Sequence, residues 1–139
     1  MTEGVERSVI EPVNPQLNVS RNANLPHSPG IRVGYYIFLS GMGPVDPVTG
    51  GRNLGLIAEQ IRQTLRNMAQ MLKSAGSSLD RIVKMTVVLA DGGDFNAMNR
   101  VWREFFPTDP PARTTCAVQL RNGNGVEIEC IALVGESPS

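Results

Sequence analysis

The sequence predicts an α+β fold in which one mixed β-sheet carries two helices on the same face. Two long segments have apolar residues at helical spacing, and several shorter segments are rich in β-strand formers. Along the chain the order is strands, helix, strand, helix, two strands, which favours one sheet with both helices packed against it. Because the strand segments have apolar residues on both sides, we expect the helix-free face to contact another subunit.

The size and charge of the chain exclude several classes of function. Its 139 residues suit a single domain, which we divide into an N-terminal strand and extended loop (1–24) and the main domain (25–139). Thirteen basic and thirteen acidic residues cancel, so we expect binding neither to nucleic acid nor to a membrane. No apolar run approaches the ~20 residues that span a bilayer. The N-terminal residues do not resemble a secretory signal, which favours a cytoplasmic location.

The first part of the chain is predicted to be mostly extended. A short strand is expected around 5–10, and the prolines of residues 11–30 predict an extended loop. Gly34 then separates two strands, the second covering 35–39, and "GPVDPVTGG" has the composition of turns.

Two helices are predicted from apolar stripes. The first covers 54–75, with Asn53 as its N-cap and Gly76 after its end. The second covers 95–106, with Asp94 as its cap. The predicted buried stripes are Ile57, Ile61, Leu65, Met68 and Leu72 in the first helix, and Phe95, Met98, Trp102 and Phe105 in the second.

Three strands are predicted in the second half of the chain, at 81–90, 114–120 and 126–134. In the first of them, one face is expected to carry Val83, Met85, Val87 and Leu89. The turn "RNGNG" at 121–125 favours a hairpin of the last two strands. In such a hairpin Arg113 and Glu127 need not touch, although they could meet across a subunit boundary.

Three charged residues interrupt the last two apolar segments. Glu127 and Glu129 project from one strand face about 7 Å apart, and Arg113 opens the preceding strand. They can form ordinary surface or interface ion pairs. Alternatively, Arg113 clamps a carboxylate ligand and a glutamate acts as general base on a water molecule. Spacing alone leaves both interpretations open.

The sequence shows no metal-binding pattern. Cys116 and Cys130 are the only cysteines and His27 is the only histidine, and their separation matches no zinc motif. We therefore expect neither a metal ion nor a disulfide framework.

Several segments together resemble the RidA/YjgF family of imine and enamine deaminases. They are "LSGMGPVDPVTG", "AEQIRQTLRNMAQMLKSAGSSLDRIVKMTVVLAD", "DFNAMNRVWREFF", "PPARTT" and "VEIECIA", in family order across residues 25–134. The resemblance implies a chorismate-mutase-like fold, a barrel-like homotrimer and active sites in the clefts between subunits. It also implies hydrolysis of 2-imino acids, or their enamine tautomers, to 2-keto acids and ammonia without a cofactor.

The resemblance assigns a role to each site residue. Arg113 is expected to bind the substrate carboxylate, and Glu127 to hold the water that attacks the C=N carbon. The backbone carbonyl of Thr115 is expected to face the substrate nitrogen, whereas Glu129 gives structural support.

Further residues correspond to the pocket wall of the family. Ser40 and Gly41 match its Ser-Gly pair, and Asn99 matches an asparagine of the second helix. Two positions depart from the family pattern: His27 stands where a tyrosine is common, and Met42 where a glutamine is common. The histidine is a candidate partner for a second carboxylate, so a larger dicarboxylic enamine, as in the 2-aminomuconate deaminase branch, is an alternative substrate.

Two other classes of function remain. One is a non-catalytic trimer that binds small carboxylates, which the His27 and Met42 departures favour and an intact Arg113 and Glu127 disfavour. The other is RNA cleavage or translation inhibition, an older label of the family. Zero net charge and 5% aromatic residues, which give few platforms for stacking bases, disfavour it.

Overall fold

A computed structural model describes residues 5–135, in which six strands form one sheet and two long helices cover one of its faces. The strands are β1 (Arg7–Val9), β2 (Gly30–Val33), β3 (Tyr36–Met42), β4 (Ile82–Leu89), β5 (Ala112–Ala117) and β6 (Val126–Leu133). The α-helices are α1 (Val19–Asn22), α2 (Ile57–Ser74) and α3 (Phe95–Phe105). No helix within 5–135 is both long enough and apolar enough to cross a membrane.

The strand order is β1-β2-β3-β6-β4-β5, and only the β4–β5 pair is parallel. The predicted mixed sheet with both long helices on one face is confirmed. The predicted hairpin is wrong, because β4 lies between β5 and β6. The reason is that β4, α3 and β5 form a strand–helix–strand crossover, which places β5 beside β4 and parallel to it. The turn at 121–125 therefore crosses the end of β4 instead of closing a hairpin.

Helix α2 packs its predicted stripe against the sheet. Ile61, Leu65, Met68 and Leu72 are fully buried, whereas Ile57 is only partly buried. Gly76 has φ +77°, a left-handed conformation that favours glycine after a helix end. The predicted cap at Asn53 is wrong: the helix begins three residues later, and the Asn53 side chain accepts from Gly55 N instead.

Three further local expectations need correction. Asp94 stands at the N-cap of α3 but makes no side-chain cap hydrogen bond there. Phe95 is 44% exposed because it lies at the first turn, beyond the edge of the core. Val83 is also exposed, because the β4–β6 register shifts between Ile82 and Lys84 and Ile82 takes the buried position.

The segment between β1 and β2 is not simply extended. It contains a 3₁₀ turn (Pro15–Leu17) and the short helix α1, which begin with side-chain caps from Asn14 and Asn18. The Asn14 amide also donates to the Pro47 carbonyl at 2.8 Å, which ties the segment to the loop after β3. Of the proposed segment 1–24, residues 1–4 lie outside the described part of the chain.

The buried amide of Asn67 links α2 to the loop that follows β3. Its nitrogen donates to the Val45 carbonyl at 2.7 Å, and the residue is fully buried. We expect Asn67→Ala to lower the free energy of unfolding by roughly 1–3 kcal/mol, because it removes a fully buried amide and the hydrogen bond that it donates to the partly buried Val45 carbonyl. Denaturant titration at one protein concentration measures this. As a control, substitution of the exposed Gln70 on the same helix by alanine should change the free energy of unfolding by less than about 0.5 kcal/mol. Equal losses in both variants would contradict a stabilising role of the Asn67 amide.

Candidate active site

The sequence-predicted site residues form two groups. We call Arg113, Thr115 and Asn99 the arginine half-site, and His27, Ser40, Gly41, Met42 and Glu127 the glutamate half-site. The first group lies on β5 and α3 at one edge of the sheet. The second group lies on β3, β6 and the loop before β2.

In the arginine half-site the guanidinium is held over aromatic rings. Arg113 donates from Nη2 to the Asn99 side-chain oxygen at 2.8 Å. Its central carbon lies 5.1 Å from the ring centroid of Trp102 and 5.8 Å from that of Phe95. A cation over aromatic faces is stabilised electrostatically, and the amide fixes its orientation. The geometry leaves Nε and Nη1 without a hydrogen-bond partner among residues 5–135.

A cleft of about 290 Å³ opens beside this guanidinium. Its lining contains no acid: Asn99, Trp102, Arg103, Phe106, Pro110, Pro111 and Arg113. Partial burial lowers the pKa of Arg113, but an arginine side chain stays protonated at neutral pH. The cleft therefore presents a fixed positive fork that suits a carboxylate.

In the glutamate half-site, Glu127 lies directly against Gly41. A Cβ added at Gly41 would lie 2.9 Å from the Glu127 carboxyl carbon, so glycine leaves the room that the carboxylate occupies. The β3–β6 register shifts between Leu39 and Met42, which places Ser40 and Gly41 in the irregular stretch. Such irregularities commonly re-aim side chains beside active sites.

Ser40 anchors the loop that carries His27. Its hydroxyl donates to the Ser28 carbonyl at 2.6 Å, and its backbone nitrogen donates to the Pro29 carbonyl at 3.0 Å. As a result His27 lines the same two cavities as Glu127, of about 400 and about 390 Å³. Met42 lines the larger of the two.

The Glu127 carboxylate is unpaired in the described part of the chain. Between residues 5 and 135 it makes neither a hydrogen bond nor an ion pair. A carboxylate in this state can accept hydrogen bonds from a water molecule or from a ligand.

The two half-sites do not converge within one chain. Along the sheet Arg113 is level with Met85 and Cys130, whereas Glu127 is level with Val88 and Cys116. Arg113 shares the helix-covered face with Met85, and Glu127 projects from the opposite, helix-free face. Arg113 and Glu127 therefore stay apart within one chain, as expected. They are separated by the order of the strands and by the opposite faces from which they project, and not by the geometry of a hairpin.

Sequence reasoning did not find several residues of these cavities. Trp102 was placed only in the core, yet it also supports Arg113. Arg52, Arg121 and Asn124 line the larger cavity with Glu127. They come from loops far apart in the chain, so no local pattern could have joined them.

No metal-binding cluster occurs in the described residues. Within 5–135 no three His, Cys, Asp or Glu side chains lie close enough to hold a metal ion. Burial, with the Glu129 charge as a smaller cause, raises the pKa of the Cys130 thiol to about 12, so this side chain stays protonated in the core.

Comparison with known proteins identifies the family. The family model described as "Endoribonuclease L-PSP" matches residues 19–134. The structure of the YjgF gene product of E. coli has a TM-score of 0.80 and 32% identity, covering 91% of this chain and 98% of that one. The chain belongs to the RidA/YjgF family.

Named relatives in the RidA/YjgF family extend the comparison. The human "2-iminobutanoate/2-iminopropanoate deaminase" is 39% identical over 111 residues, covering 79% of this chain and 81% of the human protein. "RutC family protein y4sK" of Sinorhizobium fredii is 42% identical over 124 residues, covering 88% of this chain and 97% of that protein. The structure of RidA from a Psychrobacter species has a TM-score of 0.75 at 33% identity, covering 78% and 89%.

The contact between Gly41 and Glu127 predicts a local effect of substitution. We expect Gly41→Ala to displace the Glu127 carboxylate while the fold persists, because the crowded atoms are the far end of a flexible side chain. A crystal structure of the variant measures the displacement. Gly92→Ala, where the nearest atom would be 3.5 Å away, is the control. An unmoved carboxylate in Gly41→Ala would show that the predicted crowding is absent.

Proposed function

We propose that this protein is a cofactor-independent deaminase that hydrolyses a 2-imino acid, or its enamine tautomer, to a 2-keto acid and ammonia. The observation that carries the proposal is the pair of half-sites: a fixed cationic fork and an unpaired carboxylate, each beside its own cavity. Relatives that are named as imine deaminases support the same reaction class.

The active site is completed by a second copy of the chain. Arg113 and Glu127 lie on opposite sheet faces, so one small ligand can contact both only if they come from different protomers. The helix-free face is also suited to burial, because Tyr36 and Phe38 are exposed there and Ile131 is only partly covered. A closed homotrimer provides three equivalent sites of this kind.

In the proposed mechanism the guanidinium of Arg113 binds the substrate carboxylate and fixes the orientation of the imine. Glu127 of the neighbouring protomer accepts a proton from water as the water oxygen bonds to C2. Glu127 returns that proton to the nitrogen, which gives the carbinolamine. Glu127 then takes the hydroxyl proton of the carbinolamine and passes it to the nitrogen, so that the C2–N bond breaks as the C2=O bond forms and ammonia leaves. Imine, water and Glu127 give keto acid, ammonia and Glu127 unchanged. Orientation and general base catalysis together suffice for a reaction of this type.

A dicarboxylic enamine and mere binding of a carboxylate are the competing assignments. A binding protein needs the Arg113 fork but has no use for an unpaired carboxylate beside it. Glu127 therefore favours catalysis over binding, and the size of the substrate is a separate question.

We expect Arg113→Ala to lower kcat/KM at least about 100-fold, because the charge-assisted hydrogen bonds to the substrate carboxylate are lost. In the assay an amino acid oxidase generates the imine, and a chemical trap competes with the protein for it. The release of keto acid in the presence of the trap measures the activity. Arg113→Lys should recover only part of the loss, because a lysine lacks the planar fork. Arg66→Ala, exposed on α2, serves as the control. Unchanged rates in Arg113→Ala would refute the assignment.

We expect Glu127→Gln to lower kcat by about 10²–10⁴ with little change in KM, because glutamine fills the same space but accepts no proton. Separate measurement of kcat and KM with the same imine tests this. A rise in KM at constant kcat would mean that Glu127 binds substrate rather than activating water.

A further inference from the structure

A second pair of arginines lies in the larger cavity of the glutamate half-site. Arg52 comes from the loop after β3, and Arg121 from the segment between β5 and β6. A bridge between Val45 and Arg52 fixes the first loop, and a Cβ added at Gly123 would lie 3.7 Å from the Arg52 Nη1 atom. The two loops are therefore in contact where both arginines line the cavity.

Both side chains are exposed, and in the described part of the chain these two positive charges have no protein counterion. Within residues 5–135 neither Arg52 nor Arg121 makes an ion pair or a side-chain hydrogen bond. By contrast, Arg62 on the outer surface binds two glutamates. Among the residues that the structure describes, Glu127 is the only acid that lines the cavity.

Asn124 adds a neutral polar side chain to this end of the cavity. The residue is only 4% exposed, lines the cavity, and its side-chain oxygen is buried without a partner. Leaving a buried polar group unsatisfied costs about 1–3 kcal/mol, so such groups usually have a partner in the working molecule. The Asn124 oxygen is an acceptor and needs an N–H or O–H donor, which a water molecule in the cavity can supply and a carboxylate cannot.

We propose that Arg52 and Arg121 bind the distal carboxylate of a dicarboxylic 2-imino acid whose C2 atom lies at Glu127. This inference rests on the proposed function, and it selects the substrate class. Glu127 then stands between two cationic ends: Arg113 of the neighbouring copy for the carboxylate next to C2, and this pair for the far one.

The cavity suits such a ligand in size and lining. Its volume of about 400 Å³ falls within the range of small-molecule sites. Leu17, Leu25 and Met71 also line it and provide apolar surface against which methylene groups can pack. His27 and Ser40 line both this cavity and the smaller cavity beside Glu127. The Glu127 end and the arginine end therefore belong to one continuous space.

The test compares imines made from aspartate, glutamate and 2-aminoadipate with the imine made from 2-aminobutanoate. The variants are Arg52→Gln, Arg121→Gln and the double variant, with Arg66→Gln as a control that lines no described cavity. We expect the double variant to lose about 10- to 100-fold in kcat/KM for at least one dicarboxylic imine, mostly through KM. The loss in kcat/KM for the monocarboxylic imine should stay within about twofold. The chain length of the dicarboxylic imine that loses most activity indicates how far the arginine pair lies from Glu127.

The outcomes separate the two proposals. If the double variant loses activity equally on mono- and dicarboxylic imines, or on neither, the distal subsite is wrong while the deaminase function stands. Calorimetry with succinate, glutarate and adipate gives a readout without turnover. If the wild-type protein hydrolyses no imine but binds one of these at least tenfold more tightly than the double variant, the subsite is correct and the deaminase function is wrong. If the wild-type protein hydrolyses no imine and binds these dicarboxylates no more tightly than the double variant does, the subsite is refuted as well.

Discussion

The alternation of side chains across a β-sheet is the constraint on which the account depends. Arg113 belongs to the row that faces the helices, and Glu127 belongs to the row that faces away from them. No change of rotamer moves either side chain through the sheet. The two groups that the proposed mechanism requires can therefore act on one small molecule only if the chain assembles with copies of itself.

Each half-site is prepared by the structure around it. Asn99 and Trp102 hold the guanidinium of Arg113 at the edge strand, where a neighbouring copy can reach it. On the other side, Gly41 makes room for Glu127, and Ser40 fixes the loop of His27. This division gives a physical reason for the proposed interface site, because neither half-site contains both the proposed binding charge and the proposed base.

The helices, the strands and the shared face of Glu127 and Glu129 could be predicted because they depend on local periodicity. The hairpin prediction failed because the position of β5 depends on the crossover through α3, which outweighs the turn residues at 121–125. Sequence motifs indicated Arg113 and Glu127 as candidate site residues, but no motif indicated Arg52 or Arg121. They lie in one cavity only through tertiary structure, and nothing in their local sequence indicates it.

Complementation between two inactive variants tests the shared site most directly. Arg113→Ala and Glu127→Gln protomers, each with its own affinity tag, are co-expressed and the mixed assemblies are purified. In a closed trimer that contains both variants, one interface in three, about one third of the total, combines an intact Arg113 with an intact Glu127. The account predicts recovery of roughly that fraction of wild-type activity, while each variant alone stays inactive. Mixed assemblies as inactive as the two single variants would contradict it.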